Sequence, residues 1–179
     1  MTCALAAGWP NTPAGDIMDS MESAVRAAAS RFRAAFDEGG LSHAGFARFP
    51  RGACGDASEL LGEYLRDCGL GEWAYCSGIS STDGDMFQSS HGWLERDGII
   101  VDITADQFGT GQPAVVVTSE PSWHASFQRM GGVRRAGLDY YDTGTWGAPL
   151  RADYETLKAR AEKLATEGES VDPADVDAS

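Results

Sequence analysis

The sequence predicts an α+β domain in which helices pack around a small antiparallel sheet. Two amphipathic helical patterns, over about 19–37 and 54–67, are followed by a short strand pattern at 72–79. The dipeptide Asp97-Gly98 then lies between two apolar runs, which is a strong signal for a β-hairpin. Helices and hairpin together therefore indicate one mixed core.

The first helix is expected to begin at Asp19, because Asp19 and Glu22 form a capping pattern, and to run to about Asp37. Gly39-Gly40 is expected to end it. Apolar residues fall on one face of this helix, namely Met21, Val25, Ala28, Phe32 and Phe36.

The second helix is expected to run from Cys54 to Asp67, with Gly69 just beyond its end. A strand follows at 72–79. The polar stretch 80–90 then predicts a loop, which is either an ordinary exposed loop or a lid over a site. After the hairpin, 113–119 predicts a further strand and 151–168 an amphipathic helix. The irregular stretch 120–149 predicts no element.

Chain length and charge limit the function. The 179 residues suit one domain, expected over 1–166, and the net charge is −13. The stretch 167–179 has five acidic residues and no basic one, which predicts a disordered acidic tail. A surface this negative repels phosphate backbones and anionic lipid, so we expect neither nucleic acid nor a membrane as partner.

The cysteines and the N-terminal stretch predict a cytoplasmic protein. The N-terminal stretch lacks the basic region of a signal peptide, and no apolar run reaches the roughly 18 residues of a membrane span. The cysteines are few and irregularly spaced, so we expect reduced thiols: Cys3, Cys54, Cys68 and Cys76. Neither CxxC nor HExxH occurs, and we predict no metal and no cofactor.

The hairpin places a histidine near an aspartate. With Asp97-Gly98 as a two-residue loop, Asp102 lies one diagonal step from His91 on the same face. With Arg96-Asp97 as the loop, His91 and Asp102 lie directly opposite each other. A three-residue loop would separate them. An imidazole oriented by a carboxylate is one interpretation of this face, and a plain polar face of an edge hairpin is the other.

Cys54 favours the first interpretation. It lies at the expected start of a helix, where the helix dipole stabilises a thiolate. Free N–H groups of the first turn, such as that of Gly55, could begin an oxyanion hole. Such a nucleophile needs a base and a carboxylate that orients the base, and His91 and Asp102 would supply both.

These residues resemble a known superfamily. "GACGDASELLGEYLRDCGL", "HGWLE" and "DGIIVDIT" resemble papain-like enzymes in their transglutaminase-like order, over about 49–108. "RGACGD" and "VDITADQFG" are also similar to arylamine N-acetyltransferases. The resemblance implies a nucleophile-bearing helix packed on a small antiparallel sheet. It implies Cys54 as nucleophile, His91 as general base and acid, and Asp102 as the orienting carboxylate.

The chain also departs from these families. Papain-like proteases place a Gln shortly before the cysteine, whereas position 48 is Arg48. Arylamine N-acetyltransferases are longer and carry a further domain, and animal transglutaminases depend on calcium, for which the sequence contains no binding loop. Candidate oxyanion or substrate-site residues are Gly55, Gln107 and Gln88, and Trp93 is expected to pack near the site.

Other reactive side chains are interpreted as structural. His43 and His124 are expected to be surface or satisfied structural histidines. Cys68 and Cys76 are expected to be core residues, because a free cysteine behaves as a small apolar residue. Asp56 and Asp106 are the rivals of Asp102 as the orienting carboxylate. Asp56 in a first helical turn has a structural reason to be there.

Three functions remain open from the sequence. The first is a cysteine-dependent peptidase or amidase that acts through an acyl-enzyme on a peptide, protein or small amide or thioester. The second is acyl transfer to an amine, of the transglutaminase or N-acyltransferase kind. The third is a catalytically silent domain of the same fold that binds a protein or peptide.

Overall fold

The computed structural model describes residues 14–80, 89–109, 111–142 and 147–169. Within these ranges the chain is a mixed helix and antiparallel-sheet protein, which confirms the α+β class. The helices are α1 (Ala14–Ala34), α2 (Cys54–Asp67) and α3 (Gly147–Glu169). The strands are β1 (Ala74–Ser80), β2 (Ser90–Arg96), β3 (Ile99–Asp102), β4 (Val116–Thr118), β5 (Phe127–Arg129) and β6 (Arg134–Arg135).

The strands form one antiparallel sheet in the order β4-β3-β2-β1-β5. Strand β6 also pairs with β1, at the opposite end of β1 from β5. Short 3₁₀ turns connect these elements at Ala44–Phe46, Ala105–Phe108, His124–Ser126 and Leu138–Tyr141. The stretch 120–149, which predicted no element, therefore supplies two strands and two of these turns.

Helix α1 differs from its predicted bounds. It is already helical at Ala14, so Asp19 lies inside the helix and the predicted capping pattern at Asp19 is wrong. Pro13 precedes the helix in the sequence, and proline is favoured at such a start because the first N–H groups lack partners anyway. The end at Ala34 comes before the predicted Asp37, because N–H groups from Phe36 onward bond three residues back and tighten the last turn.

Helix α2 has its predicted bounds, and Gly69 explains where it ends. Gly69 has φ +73°, and its N–H donates to the Arg66 carbonyl at 2.9 Å. The Leu70 N–H donates to the Leu65 carbonyl at 2.9 Å. These two bonds form a Schellman motif, which satisfies carbonyls that the helix end leaves open.

Helix α3 begins at Gly147 and extends to Glu169, three residues beyond the predicted domain boundary at 166. Lys163 and Glu167, one helical turn apart, form an ion pair at 3.7 Å that favours this extension. The rest of the predicted acidic tail, 170–179, lies outside the described residues. No helix in the described ranges is long and apolar enough to cross a lipid bilayer.

The two faces of the sheet are different. One face packs against the helices, and its buried apolar residues belong to the main core with those of α1, α2 and α3. This face includes Leu94, Ile99, Val101 and Ile103 of the hairpin segment. The opposite face carries a smaller cluster of Cys76, Trp93, Ile100 and Phe127, against which Phe108 and Trp123 pack.

Two buried carboxylates of α2 hold the segment that follows β6. Glu59 is 1% exposed, pairs with Arg134 and accepts the Gly137 N–H at 2.9 Å. Glu63 accepts the Leu138 N–H at 3.2 Å. Because these carboxylates satisfy backbone donors in an irregular segment, β6 is fixed against the helix that begins at Cys54.

Candidate active site

The hairpin turn decides how His91 and Asp102 are placed. Arg96 pairs with Ile99, so Asp97-Gly98 is a two-residue loop and the register with an Arg96-Asp97 loop is wrong. Asp97 has φ +50° and Gly98 has φ +82°. Two positive φ values are what a type I′ turn requires, and this turn matches the twist of the paired strands. The turn chemistry therefore determines the strand register.

In this register His91 and Asp102 are in direct contact. The His91 Nε2 atom lies 2.5 Å from Asp102 Oδ2, and both side chains are fully buried. Such a bond fixes the orientation of the imidazole and leaves its Nδ1 atom for another partner. The sequence-based pairing of these two residues is thus present in the structure.

Cys54 is the first residue of α2 and reaches His91. Its thiol is half-buried and forms a hydrogen bond with the His91 ring. Because Nε2 of His91 faces Asp102, Nδ1 is the ring nitrogen left for the sulfur. The backbone of Gly55 and Gly92 also hydrogen-bonds the sulfur. The structure therefore brings Cys54, His91 and Asp102 into one chain of contacts.

The environment of Cys54 and His91 favours an ion pair. Burial raises the pKa of the Cys54 thiol, but the hydrogen bond and charge of His91, with the Gly92 and Gly55 backbone, outweigh it and lower the pKa overall. Burial lowers the pKa of His91, but its bonds to Asp102 and Cys54 outweigh this and raise it to about 9. A thiolate next to an imidazolium is the arrangement that a cysteine nucleophile needs.

Asp102 is held by more groups than the sequence indicates. Its Oδ1 accepts the Thr104 N–H at 2.8 Å and the Thr104 hydroxyl at 3.1 Å, and its Oδ2 lies 3.0 Å from Nε2 of His124. Burial raises the pKa of Asp102, but the bonds from His124, His91 and Thr104 lower it to about 2. His124 is buried, so the expectation of a surface histidine is wrong, and that of a satisfied structural histidine fits.

Aromatic rings surround the His91 imidazole. Trp93, predicted to pack near the site, has its ring centroid 5.8 Å from that of His91. Phe108, Phe127 and Trp123 lie at 5.0, 5.4 and 5.5 Å. These rings exclude water, and ring faces also stabilise a cationic imidazole. The sequence contained no periodic signal for Trp123 or Phe127, because both belong to the irregular stretch.

The predicted oxyanion candidates are placed differently. Gly55 lies at the sulfur, as described. The Gln107 side-chain amide donates to the Thr104 carbonyl at 2.9 Å and lies 3.3 Å from Nδ1 of His91, while its Oε1 accepts the Gly52 N–H at 3.2 Å. Both polar atoms of the Gln107 amide are therefore bonded to backbone groups near the site. Gln88 lies outside the described residues.

The rival carboxylates contact other partners. Asp106 pairs with Arg33 at 2.8 Å. Asp56 lies 2.8 Å from the His43 ring and accepts the Tyr141 hydroxyl at 2.5 Å. Neither carboxylate is bonded to His91, so of the three aspartates considered, Asp102 is the one that the hairpin brings to the imidazole.

The remaining cysteines have the predicted environment in the described part of the chain. Cys76 is buried in the smaller cluster, and this burial is the largest of the effects that raise the pKa of its thiol. Cys68 is half-buried and packs against the main core. Cys3 lies outside the described residues. Cys54 thus differs from Cys76 in the direction of its pKa shift.

A cleft of about 440 Å³ opens beside the Cys54 helix start. Its lining includes Gly55 and Tyr75, together with Met130 and Tyr140, which are exposed. Arg134 forms part of its wall and is stacked on the rings of Tyr75 and Tyr140, at 4.4 and 3.7 Å from their centroids. The cleft is large enough for a side chain of a peptide, and its lining begins at Gly55, the residue after Cys54.

His91, Asp102 and His124 could each offer one ligand atom to a metal ion. Metal–ligand bonds of about 2.0–2.2 Å at tetrahedral angles place neighbouring donor atoms roughly 3.4 Å apart. The 2.5 Å between His91 Nε2 and Asp102 Oδ2 is too short for that and suits a direct hydrogen bond. The three residues therefore fit a hydrogen-bonded chain better than a metal centre.

Comparisons with protein-family models, with curated proteins and with solved structures found no match for this chain. The site therefore has to be interpreted from its own geometry.

Proposed function

We propose that this protein is a cysteine-dependent hydrolase that cleaves an amide or peptide bond through an acyl-enzyme. The observation that carries the proposal is the contact chain from the Cys54 sulfur through His91 to Asp102. A thiol at a helix start, an imidazole bonded to it and a carboxylate on the far ring nitrogen are the parts that nucleophilic catalysis requires. Helix α2 packed on β2, with His91 on β2 and Asp102 on β3, supports a papain-like or transglutaminase-like arrangement.

In the proposed reaction the Cys54 thiolate attacks the substrate carbonyl and forms a tetrahedral adduct. The His91 imidazolium gives its proton to the departing amine, which leaves a thioester on Cys54. His91 then takes a proton from water, which attacks the thioester and releases the acid. Asp102 remains ionised and keeps the imidazole oriented throughout.

The cleft beside Cys54 supports a peptide or another neutral acyl group as substrate. Met130 and Tyr140 present exposed apolar surface there, while Asp56 and Glu59 of the cleft wall are bonded to other residues of the protein. Hydrolysis is preferred over transfer because it needs no second substrate. A cytoplasmic location remains part of this proposal, since it keeps the thiol reduced.

The test is acetylation by p-nitrophenyl acetate, with release of p-nitrophenol followed over time and the acetylated cysteine identified by peptide mass spectrometry. We expect acetylation of Cys54 in the wild type and in Cys76→Ala. Cys54→Ala should show none, and the rate in His91→Ala should fall well below that of the wild type. Acetylation that is equally fast without His91 would refute the proposal. Adding a primary amine distinguishes hydrolysis from transfer, because a transferase would release the N-acetyl amine instead of acetate.

A further inference from the structure

Tyr75 occupies a special position beside the proposed nucleophile. It lies on β1 opposite Leu94, on the face of the sheet that carries helix α2, and it lines the cleft. A methyl group built on Gly92 would lie 2.7 Å from the Tyr75 hydroxyl oxygen, and one built on Gly55 would lie 3.5 Å from it. The hydroxyl thus lies in the space that two missing side chains leave open.

The same two glycines hydrogen-bond the Cys54 sulfur through their backbones. Gly55 follows Cys54 in the sequence and Gly92 follows His91. The sulfur and the Tyr75 hydroxyl therefore share both of these neighbours, so they lie close together. The negative charge of Cys54 accordingly acts on the Tyr75 hydroxyl.

The Tyr75 hydroxyl also has a hydrogen to donate. In the described part of the chain, no protein acceptor forms a hydrogen bond with it, whereas the Tyr141 hydroxyl of the same cleft is bonded to Asp56. Burial, followed by the charge of Cys54, raises the pKa of Tyr75 to about 12, so the group keeps its proton at neutral pH. Arg134 over the ring face, itself paired with the buried Glu59, fixes the ring.

The alternative donor, Gln107, is already committed. Its amide nitrogen donates to the Thr104 carbonyl at 2.9 Å, and its Oε1 accepts the Gly52 N–H at 3.2 Å. A substrate oxygen would therefore have to recruit an amide that the protein already holds at both of its polar atoms. Of the two sequence-based oxyanion candidates that lie in the described residues, Gly55 is the one that lies at the sulfur itself.

We infer that the Tyr75 hydroxyl is an oxyanion donor of this site, on the observation that Gly55 and Gly92 hold the Cys54 sulfur and leave room for that hydroxyl beside it. The inference rests on the proposed function. When the Sγ–C bond forms, the carbonyl π electrons move to oxygen, and this oxygen accepts hydrogen bonds from Tyr75 and from the helix start. When the C–N bond breaks, the amine takes the proton of His91, the carbonyl re-forms and Tyr75 still holds its own proton.

Tyr75→Phe tests this inference, because it removes the hydroxyl and keeps the ring under Arg134. Two reactions of Cys54 are compared. Acetylation by p-nitrophenyl acetate passes through an oxyanion, whereas alkylation by iodoacetamide is a displacement at a saturated carbon and does not. We expect the acetylation rate to fall about 100-fold, the usual effect of losing one oxyanion donor, and the alkylation rate to stay within about twofold.

The matched control is Tyr154→Phe. Tyr154 lies on helix α3, away from the cleft, and the hydroxyl that this change removes donates to Asp67 at 2.6 Å. It should leave both rates unchanged. An unchanged acetylation rate in Tyr75→Phe would overturn the inference and leave the proposed function intact. Equal losses of both rates would overturn it too, because they would assign the hydroxyl to positioning of the thiolate. If wild-type Cys54 is not acetylated at all, the proposed function itself fails.

Discussion

His124 Nε2 lies 3.0 Å from Asp102 Oδ2, the same oxygen that the His91 ring contacts at 2.5 Å. A carboxylate oxygen accepts both bonds, so His124 must carry its proton on Nε2. With Thr104 bound to the other oxygen, the Asp102 carboxylate is fixed on both sides. His124 is therefore a positioning residue of the proposed site, acting on His91 through Asp102.

Replacing His124 with Ala should lower the acetylation rate about tenfold, because Asp102, which orients His91, loses the hydrogen bond from His124 to its Oδ2. It should also raise the pKa of Asp102, since the His124 bond is the first of the groups that lower it. A carboxyl with a lowered pKa stabilises the fold above its unfolded-state pKa of about 3.9, and this stability is lost as the pH falls. Both proteins begin to lose this stability near the unfolded-state pKa, so the variant, whose folded-state pKa of Asp102 lies closer to that value, should lose less stability as the pH falls.

The measurement is urea unfolding of wild type and His124→Ala at several pH values between 3 and 7. His124→Gln is the conservative control, because its side-chain amide can still donate to Asp102, and it should restore part of the acetylation rate. If the two proteins lose stability in parallel as the pH falls, His124 contributes packing only.

The Cys54–His91 pair predicts an unusual pH profile of alkylation. Because His91 lowers the pKa of Cys54, iodoacetamide should alkylate Cys54 at pH 6 about tenfold or more faster than an ordinary thiol. Removing His91 leaves burial, the largest effect, which raises the pKa against the smaller effect of the Gly92 and Gly55 backbone, so His91→Ala should lose most of this advantage. Peptide mass spectrometry measures each site, and Cys76, whose pKa is raised, is the slow reference in the same chain.

The upper end of the profile follows from His91. Its pKa is raised to about 9, so the imidazolium is present up to that pH and is lost above it. Acetylation of Cys54 by a substrate whose leaving group is an amine should therefore decline above about pH 9, because the amine takes its proton from His91. Alkylation needs no acid and should not decline. A wild-type alkylation profile with one step at pH 8.5–9, like that of a free thiol, would contradict the ion pair.

Chelation should leave the activity unchanged. The 2.5 Å bond between His91 and Asp102 is a direct hydrogen bond, so the proposed reaction proceeds without an ion between them. Treatment with EDTA followed by the acetylation assay checks this expectation, and re-addition of Zn²⁺ is the matched arm. Loss of activity with EDTA and recovery with Zn²⁺ would assign the His91–Asp102–His124 group to a metal instead.

The hairpin and the end of α2 could be predicted from sequence because local chemistry determines them. Asp97-Gly98 permits the two positive φ values of its turn, and this turn sets the register that joins His91 to Asp102. Gly69 likewise ends α2 with a local hydrogen-bond pattern. In each case residues within a few positions of one another decide the conformation.

Tyr75 and His124 could not be predicted in the same way. Tyr75 lies close to Gly92 because β1 pairs with β2, and no local sequence pattern sets the register of that pair. His124 reaches Asp102 from a 3₁₀ turn in a stretch without hydrophobic periodicity. Both contacts depend on how distant segments pack, so residue type and local pattern did not indicate them.

Close packing of α2 against the segment after β6 leads to a prediction about stability. A methyl group on Gly62 would lie 2.5 Å from the Ala136 Cβ and 3.3 Å from its carbonyl carbon. Ala136 is fixed, because it is buried and its N–H donates to the Trp73 carbonyl at 2.8 Å. Gly62→Ala should therefore lower the free energy of unfolding by about 1–3 kcal/mol, although alanine is intrinsically better in a helix by about 1 kcal/mol.

Urea unfolding followed by circular dichroism measures this change. Gly168→Ala is the matched control in α3, since a methyl group there would meet nothing within 4 Å, and it should not lower the stability. Adding Ala136→Gly to Gly62→Ala removes the closer of the two contacts and should recover part of the loss. If Gly62→Ala is as stable as the wild type, the helix can move away from Ala136. The Glu59 and Glu63 contacts that hold this segment beside the proposed site would then be looser than their geometry implies.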